Sequence, residues 1–111
     1  LGIIKSSKKE AIDTGEYSKF YMHRIGHWLG MDVHDVGSYK QDGDWRDLEP
    51  GMVMTIEPGI YILDSLEGVE DKWKGIGVRI EDDVLVTKEG FEVLTPDIPR
   101  SIEEVESTVQ S

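Results

Sequence analysis

The sequence predicts an α+β unit on three observations. A helix-capping signal stands near each end, the middle carries the two-residue period of strands, and no internal repeat, low-complexity stretch or linker interrupts it. Ser7-Lys8-Lys9-Glu10 sets a hydroxyl at an N-cap with a carboxylate three residues on, which predicts a helix from about Lys8 to Thr14, stopped at Gly15. Tyr17, Phe20 and Tyr21 are spaced to form the apolar face of a second helical turn. Gly26 and Gly30 would each cost a helix about 1 kcal/mol relative to Ala, so the stretch to Gly37 reads as non-helical. Within it Met31 to Val36 alternates apolar and polar residues, as a strand does. Ser38 to Asp47 reads as a polar surface loop and Glu49-Pro50-Gly51 as a turn.

Met52 to Ile62 is apolar on both parities, the mark of a buried strand, with a bend at Pro58-Gly59. Leu63 to Lys74 is a second polar loop. In an extended chain Ile76, Val78 and Ile80 point one way while Gly77, Arg79 and Glu81 point the other. Asp82 and Asp83 read as turn residues at that strand's exit. Val84–Thr87 and Phe91–Leu94 make a hairpin around Lys88-Glu89-Gly90, and Pro96 and Pro99 close the regular region. Ser101 to Val109 is a closing helix, again with Ser-x-x-Glu at its start.

Composition narrows the function. With 23 acidic and 12 basic residues the net charge is −11, a surface that repels phosphate backbones and argues against nucleic acid as a partner. No window approaches the ~20 apolar residues of a membrane span. The absence of cysteine excludes disulfides and thiolate metal sites and makes a reducing, cytoplasmic compartment the expectation. No leader pattern is present, and a start at Leu1 rather than Met points to a piece of something longer.

The chemistry concentrates in few residues. His23, His27 and His34 fall in one short segment, and imidazole is both the commonest metal ligand and a proton carrier near neutral pH. His23 and His27 do not follow the H-E-x-x-H spacing of zinc proteases, because Arg24 follows His23. Glu57 closes an apolar strand and Glu81 closes another; carboxylates in such places need a partner or a cation. For Glu57 the plain alternative is a strand end emerging into solvent, and for Glu81 an ion pair with Arg79. One imidazole and two carboxylates on separate strands suit a divalent cation. Two such cations ~3.5–4 Å apart are the arrangement of many aminopeptidases, but a dinuclear site takes about five ligands, and the chain offers three good ones.

These residues sit in three ordered motifs: His23-Arg24-Ile25-Gly26-His27 through His34-Asp35-Val36-Gly37, Leu48-Glu49-Pro50-Gly51-Met52 to Glu57-Pro58-Gly59-Ile60-Tyr61, and Gly75-Ile76-Gly77-Val78-Arg79-Ile80-Glu81-Asp82-Asp83. Together they resemble the signatures of the aminopeptidase P and prolidase family of metallopeptidases, family M24. The resemblance implies the pita-bread (creatinase/aminopeptidase-like) fold, a curved antiparallel sheet with flanking helices, and makes residues 1–111 the carboxy-terminal portion of a single catalytic domain. It implies His27, Glu57 and Glu81 as metal ligands, with Glu81 bridging two ions, usually Mn2+. Glu57 doubles as the proton shuttle, and His23 and His34 hold the substrate and stabilise the tetrahedral intermediate. Arg79 braces the carboxylates or lines the proline pocket, which Tyr61 helps to line. The implied reaction removes an amino-terminal residue that precedes proline; a homo-oligomer is a separate expectation, from apolar sheet surface.

The short loop from Gly37 to Leu48, the Trp28 context and the short approach Lys74-Gly75-Ile76-Gly77 favour aminopeptidase P over prolidase; a non-catalytic scaffold is the third reading. The family's two aspartate ligands and a further histidine would precede Leu1. The segment alone is therefore expected to bind metal weakly, to turn over no substrate, and to associate through uncovered sheet surface.

Overall fold

Ser7 caps the first helix. In the computed structural model, which describes residues 2–110, its hydroxyl accepts the Glu10 N–H at 3.3 Å. Helix α1 spans Lys8–Thr14 and ends at Gly15, whose φ of 72° is the left-handed cap that glycine adopts without strain. A single 3-10 turn, Glu16–Lys19, follows in place of a second α-helical turn. Phe20 is buried, whereas Tyr17 stays 43 % exposed, so only part of the expected aromatic face is used.

The strands are β1 (Lys40–Gln41), β2 (Asp44–Trp45), β3 (Val53–Ile56), β4 (Gly59–Ile62), β5 (Ile76–Arg79), β6 (Asp82–Thr87) and β7 (Gly90–Val93); helix α2 is Ile102–Gln110. All their pairings are antiparallel: β1 with β2, β4 with β5, and β3-β6-β7 as a three-stranded sheet.

Packing divides the chain into two compact units. One comprises Leu1–Arg24 and Pro58–Arg79. Its core is Ala11, Phe20 and Ile62, with the Tyr61 N–H donating to the Phe20 carbonyl at 2.8 Å. The β4–β5 register sets Tyr61 opposite Gly77 and Gly59 opposite Arg79. Tyr61 lies across both glycines: a Cβ on Gly77 would stand 3.0 Å from the ring and one on Gly59 2.7 Å from the hydroxyl.

The other unit comprises Ile25–Glu57 and Ile80–Ser111. The side chains of Thr55 on β3 and of Glu57 just past its end are both buried. The face opposite Thr55, with Met54, Ile56, Val84, Val86, Phe91 and Val93, forms an apolar groove. At its carboxy-terminal side the capping box is complete: Ser101 Oγ accepts the Glu104 N–H at 3.2 Å, and Glu104 accepts the Ser101 N–H at 2.9 Å. The Ser101 N–H, together with the Arg100 N–H donating to the same carboxylate at 3.1 Å, holds the Glu104 carboxyl below its usual range.

Four expectations are corrected. Met31–Val36 forms no strand: Met31–His34 is a run of bends, with Met31 fully exposed and Val36 93 % exposed; alternation makes a strand only where a ladder and a face to bury accompany it. The polar loop from Ser38 to Asp47 contains the β1–β2 hairpin, turned by Asp42-Gly43 with both φ positive, the Asp-Gly turn signal that should have flagged it. The strand read as continuous from Ile76 through Glu81 stops at Arg79, and the next begins at Asp82. Asp82 and Asp83 are therefore strand residues, not a turn, opposite Ile56 and Thr55.

Candidate metal centre

The β3–β6 register builds half of the site. Because Ile56 faces Asp82, Glu57 and Glu81 arrive at the same end of that ladder, just beyond its last pair. Like charges facing across strands repel, so their proximity asks for a positive partner.

The other half comes from the segment around Gly26, which runs along β3's free edge. The Glu57 N–H donates to the Ile25 carbonyl at 2.7 Å, the Thr55 N–H to the His27 carbonyl at 2.9 Å, and the Leu29 N–H to the Val53 carbonyl at 3.1 Å. Only glycine permits that approach at Gly26, since a Cβ there would lie 1.9 Å from the Thr55 carbonyl oxygen. His27 is thereby set across from Thr55, two residues before Glu57.

One ligand atom from each of His27, Glu57 and Glu81 lies within 4.8 Å of the other two. Glu57 is buried at 8 % exposure, His27 is half-buried and Glu81 is exposed. His27 Nδ1 is 3.0 Å from the Trp28 carbonyl oxygen. A carbonyl only accepts, so Nδ1 carries a proton, and with the ring in its neutral form Nε2 presents a lone pair. That lone pair faces Glu57 Oε1 at 3.3 Å, acceptor against acceptor, with the Glu81 carboxylate as a third. A proton on Nε2 would relieve one contact; a divalent cation would relieve all three. The donor set of one imidazole nitrogen and two carboxylates therefore fits a hard or borderline metal ion.

His34 also belongs to this neighbourhood: its ring packs edge-on to His27 at 4.3 Å between centroids, although it is exposed. The bend carrying it is held by Asp35, whose carboxylate accepts the Met31 N–H at 3.1 Å and the Val36 N–H at 2.8 Å.

His23, Tyr61 and Arg79 meet in the first unit. Arg79 Nε donates to Tyr61 Oη at 2.6 Å. Tyr61 Oη and His23 Nε2 are 3.0 Å apart, and His23 Nδ1 lies 2.7 Å from the Arg24 carbonyl oxygen. Nδ1–H donates to the carbonyl and, with the ring in its neutral form, Nε2 accepts from the phenol, giving a chain from guanidinium to hydroxyl to imidazole to carbonyl.

Two contributors escaped the sequence reading. Thr55 accepts the His27 N–H at 3.0 Å and donates to Glu57 Oε1 at 3.0 Å; its position two residues before Glu57, on the same face of a strand, was a usable signal. Arg100 grips Asp82, the neighbour of Glu81, with Nε–O distances of 2.8 and 3.0 Å, a contact 18 residues apart with no local signature. Its guanidinium holds the Asp82 carboxyl below the usual carboxylate range; burial works against that lowering, and the Thr95 hydroxyl adds to it.

Residues 3–88 match metallopeptidase family M24. The chain belongs to that family. This M24 chain is 52 % identical over 107 residues to the Xaa-Pro aminopeptidase of Haemophilus influenzae, covering 96 % of this chain and 24 % of that relative. It superposes on the aminopeptidase PepP of Pseudomonas aeruginosa with a TM-score of 0.92 and 56 % identity, over 99 % of this chain and 25 % of that one. Against the Escherichia coli aminopeptidase P bound to the inhibitor Pro-Leu the TM-score is 0.87 with 50 % identity, over 96 % of this chain and 24 % of that one. The fold is thus that of aminopeptidase P, the pita-bread class that the motifs implied. The chain spans about a quarter of the length of the curated relatives it matches. Among the described residues no helix is long and apolar enough to cross a membrane.

Proposed function

We propose that this chain is the carboxy-terminal portion of a single catalytic domain of an Xaa-Pro aminopeptidase, cleaving the bond between an amino-terminal residue and a following proline. The observation that carries the reading is the meeting of His27 Nε2, held as a lone pair, with the carboxylates of Glu57 and Glu81. Identity of 52 % to an enzyme of that name supports it, as does the Pro-Leu inhibitor in the E. coli relative. His27, Glu57 and Glu81 would hold divalent ions, Mn2+ in our reading. When bound, the ions would polarise the scissile carbonyl and activate the attacking water.

The chain's own residues do the rest. Glu57, gripped by the Thr55 hydroxyl, takes and returns the proton of the attacking water. His23 and His34 hold substrate and steady the developing negative charge. Tyr61 and Arg79 keep His23 in its tautomer and contribute to recognition of proline. The substrate is a peptide with proline second, the compartment is the cytoplasm, and the acidic surface leaves no role for nucleic acid. Association into oligomers is favoured by apolar residues left open, Phe91 at 72 % and Val78 at 58 % exposure.

Three ligands fall short of the about five that a dinuclear site takes, so the segment by itself binds Mn2+ weakly and turns over nothing. Calorimetric titration of this chain with Mn2+ should show weak uptake that Glu57→Gln lowers by about tenfold or more and His23→Ala leaves in place. Chromatography of an Xaa-Pro-Xaa tripeptide incubated with it should show no product. Robust Mn2+-dependent cleavage by the chain alone would overturn the incomplete-site reading. In the full-length protein, faster cleavage of an Xaa-Pro dipeptide than of that tripeptide would favour prolidase.

A further inference from the structure

Thr55 is 2 % exposed, the lowest value among the described residues' side chains of any size, yet it sits in a strand otherwise built from aliphatic residues. A buried hydroxyl is kept at a cost unless both its donor and its acceptor capacity are used. Here both are. The His27 N–H donates to Thr55 Oγ1 at 3.0 Å, and the Oγ1 proton goes to Glu57 Oε1 at 3.0 Å. The backbone adds a second tie, Thr55 N–H to the His27 carbonyl at 2.9 Å. One side chain is therefore bonded to the main chain of one candidate ligand and to the carboxylate of another.

We propose that Thr55 is a positioning residue for the metal centre, locking His27 and Glu57 at one spacing before an ion arrives. The inference rests on the metallopeptidase reading given above, and it adds a residue that ties two of the candidate ligands together through Glu57 Oε1. By occupying Oε1 from one side, the hydroxyl restricts rotation of the carboxylate and keeps Glu57 Oε1 3.3 Å from His27 Nε2. Among the described residues no comparable hydrogen bond holds Glu81, which is exposed. The buried pair is thus preset, and Glu81 is the ligand that adjusts.

The test is Thr55→Val, equal in shape but without the hydroxyl, against Thr55→Ser, which retains it, both in the full-length protein. Titration with Co2+ alone, followed by visible absorption, reads affinity and ligand geometry together. Thr55→Val should weaken Co2+ binding by about 10- to 100-fold, the usual effect of removing an outer hydrogen-bond partner from a metal ligand, and should change the band positions. Thr55→Ser should restore both to within about threefold. A purely structural threonine would instead lower the thermal midpoint of the metal-free protein in Thr55→Val while leaving Co2+ affinity and spectrum as they were, and that result overturns the inference with the metal site intact. If the unsubstituted protein takes up no Co2+ or Mn2+, the metallopeptidase reading fails, and the inference with it.

Discussion

His27 and His23 begin alike and end differently. Each donates from Nδ1 to the carbonyl of the next residue, Trp28 at 3.0 Å and Arg24 at 2.7 Å, so each holds the same tautomer with a lone pair on Nε2. For His27 that lone pair meets another acceptor, Glu57 Oε1. For His23 it meets a donor, the Tyr61 hydroxyl, itself polarised by Arg79. The first arrangement is electrostatically unfinished and suits a cation; the second is complete without one. A histidine's role in this chain is set by what its second nitrogen faces, and the local backbone contact is common to both.

The comparison breaks most severely at the glycines that set each ring's surroundings. Gly26→Ala would press a methyl against the Thr55 carbonyl at 1.9 Å, backbone against backbone. It should destabilise the chain by about 1–3 kcal/mol or more and move His27 away from Glu57. Gly59→Ala meets the hydroxyl end of Tyr61 at 2.7 Å, and that side chain can swing aside. Thermal unfolding should therefore rank Gly26→Ala well below Gly59→Ala. Equal midpoints would show that the Gly26 segment is free to move off β3, and the preset spacing of His27 and Glu57 would go with it.

Tyr61→Phe sharpens the comparison from the other side. Removing the hydroxyl takes away one hydrogen bond, about 0.5–1.5 kcal/mol of stability, and leaves His23 Nε2 without its phenol. Nitrogen-15 NMR of the ring nitrogens should show a changed tautomer balance for His23 and an unchanged one for His27, with Co2+ affinity held within about twofold. A shift confined to His27 would reverse the assignment of the two rings.

How far the sequence anticipates all this depends on the range of the interaction. The α1 cap at Ser7 and its stop at Gly15 are local, written within four residues of each helix end, and they are legible. The hairpin of β6 and β7 around Lys88-Glu89 is local too. That His27 is the imidazole which joins Glu57 and Glu81 could be expected only from motif resemblance, because it depends on a ladder register and on the close approach at Gly26, neither of which any short window encodes. The misread strand at Met31–Val36 has the complementary cause. Its alternation is real, but the chain there is governed by Asp35 accepting backbone N–H groups on either side of it, a loop-forming use of aspartate that competes with extended structure. Arg100, pinned to Asp82 across 18 residues, belongs with the contacts that only folding reveals.

The gentlest perturbation concerns His34, which stands beside His27 yet is carried by that exposed bend. Asp35→Asn keeps the size of the side chain but replaces a charged acceptor by a neutral one, weakening its bonds to the Met31 and Val36 N–H groups. Hydrogen bonds to charged groups are the stronger kind, so a loss of about 0.5–1 kcal/mol is expected at this partly open position. The His34 ring resonances should broaden or shift as its edge-on contact with His27 loosens. Co2+ affinity should change by less than about threefold, because His27 and Glu57 keep their own supports. A loss of about tenfold, equivalent to 1.4 kcal/mol, is the size that an outer partner of a metal ligand carries, and it would mean that the bend holding His34 against His27 is part of the ion site.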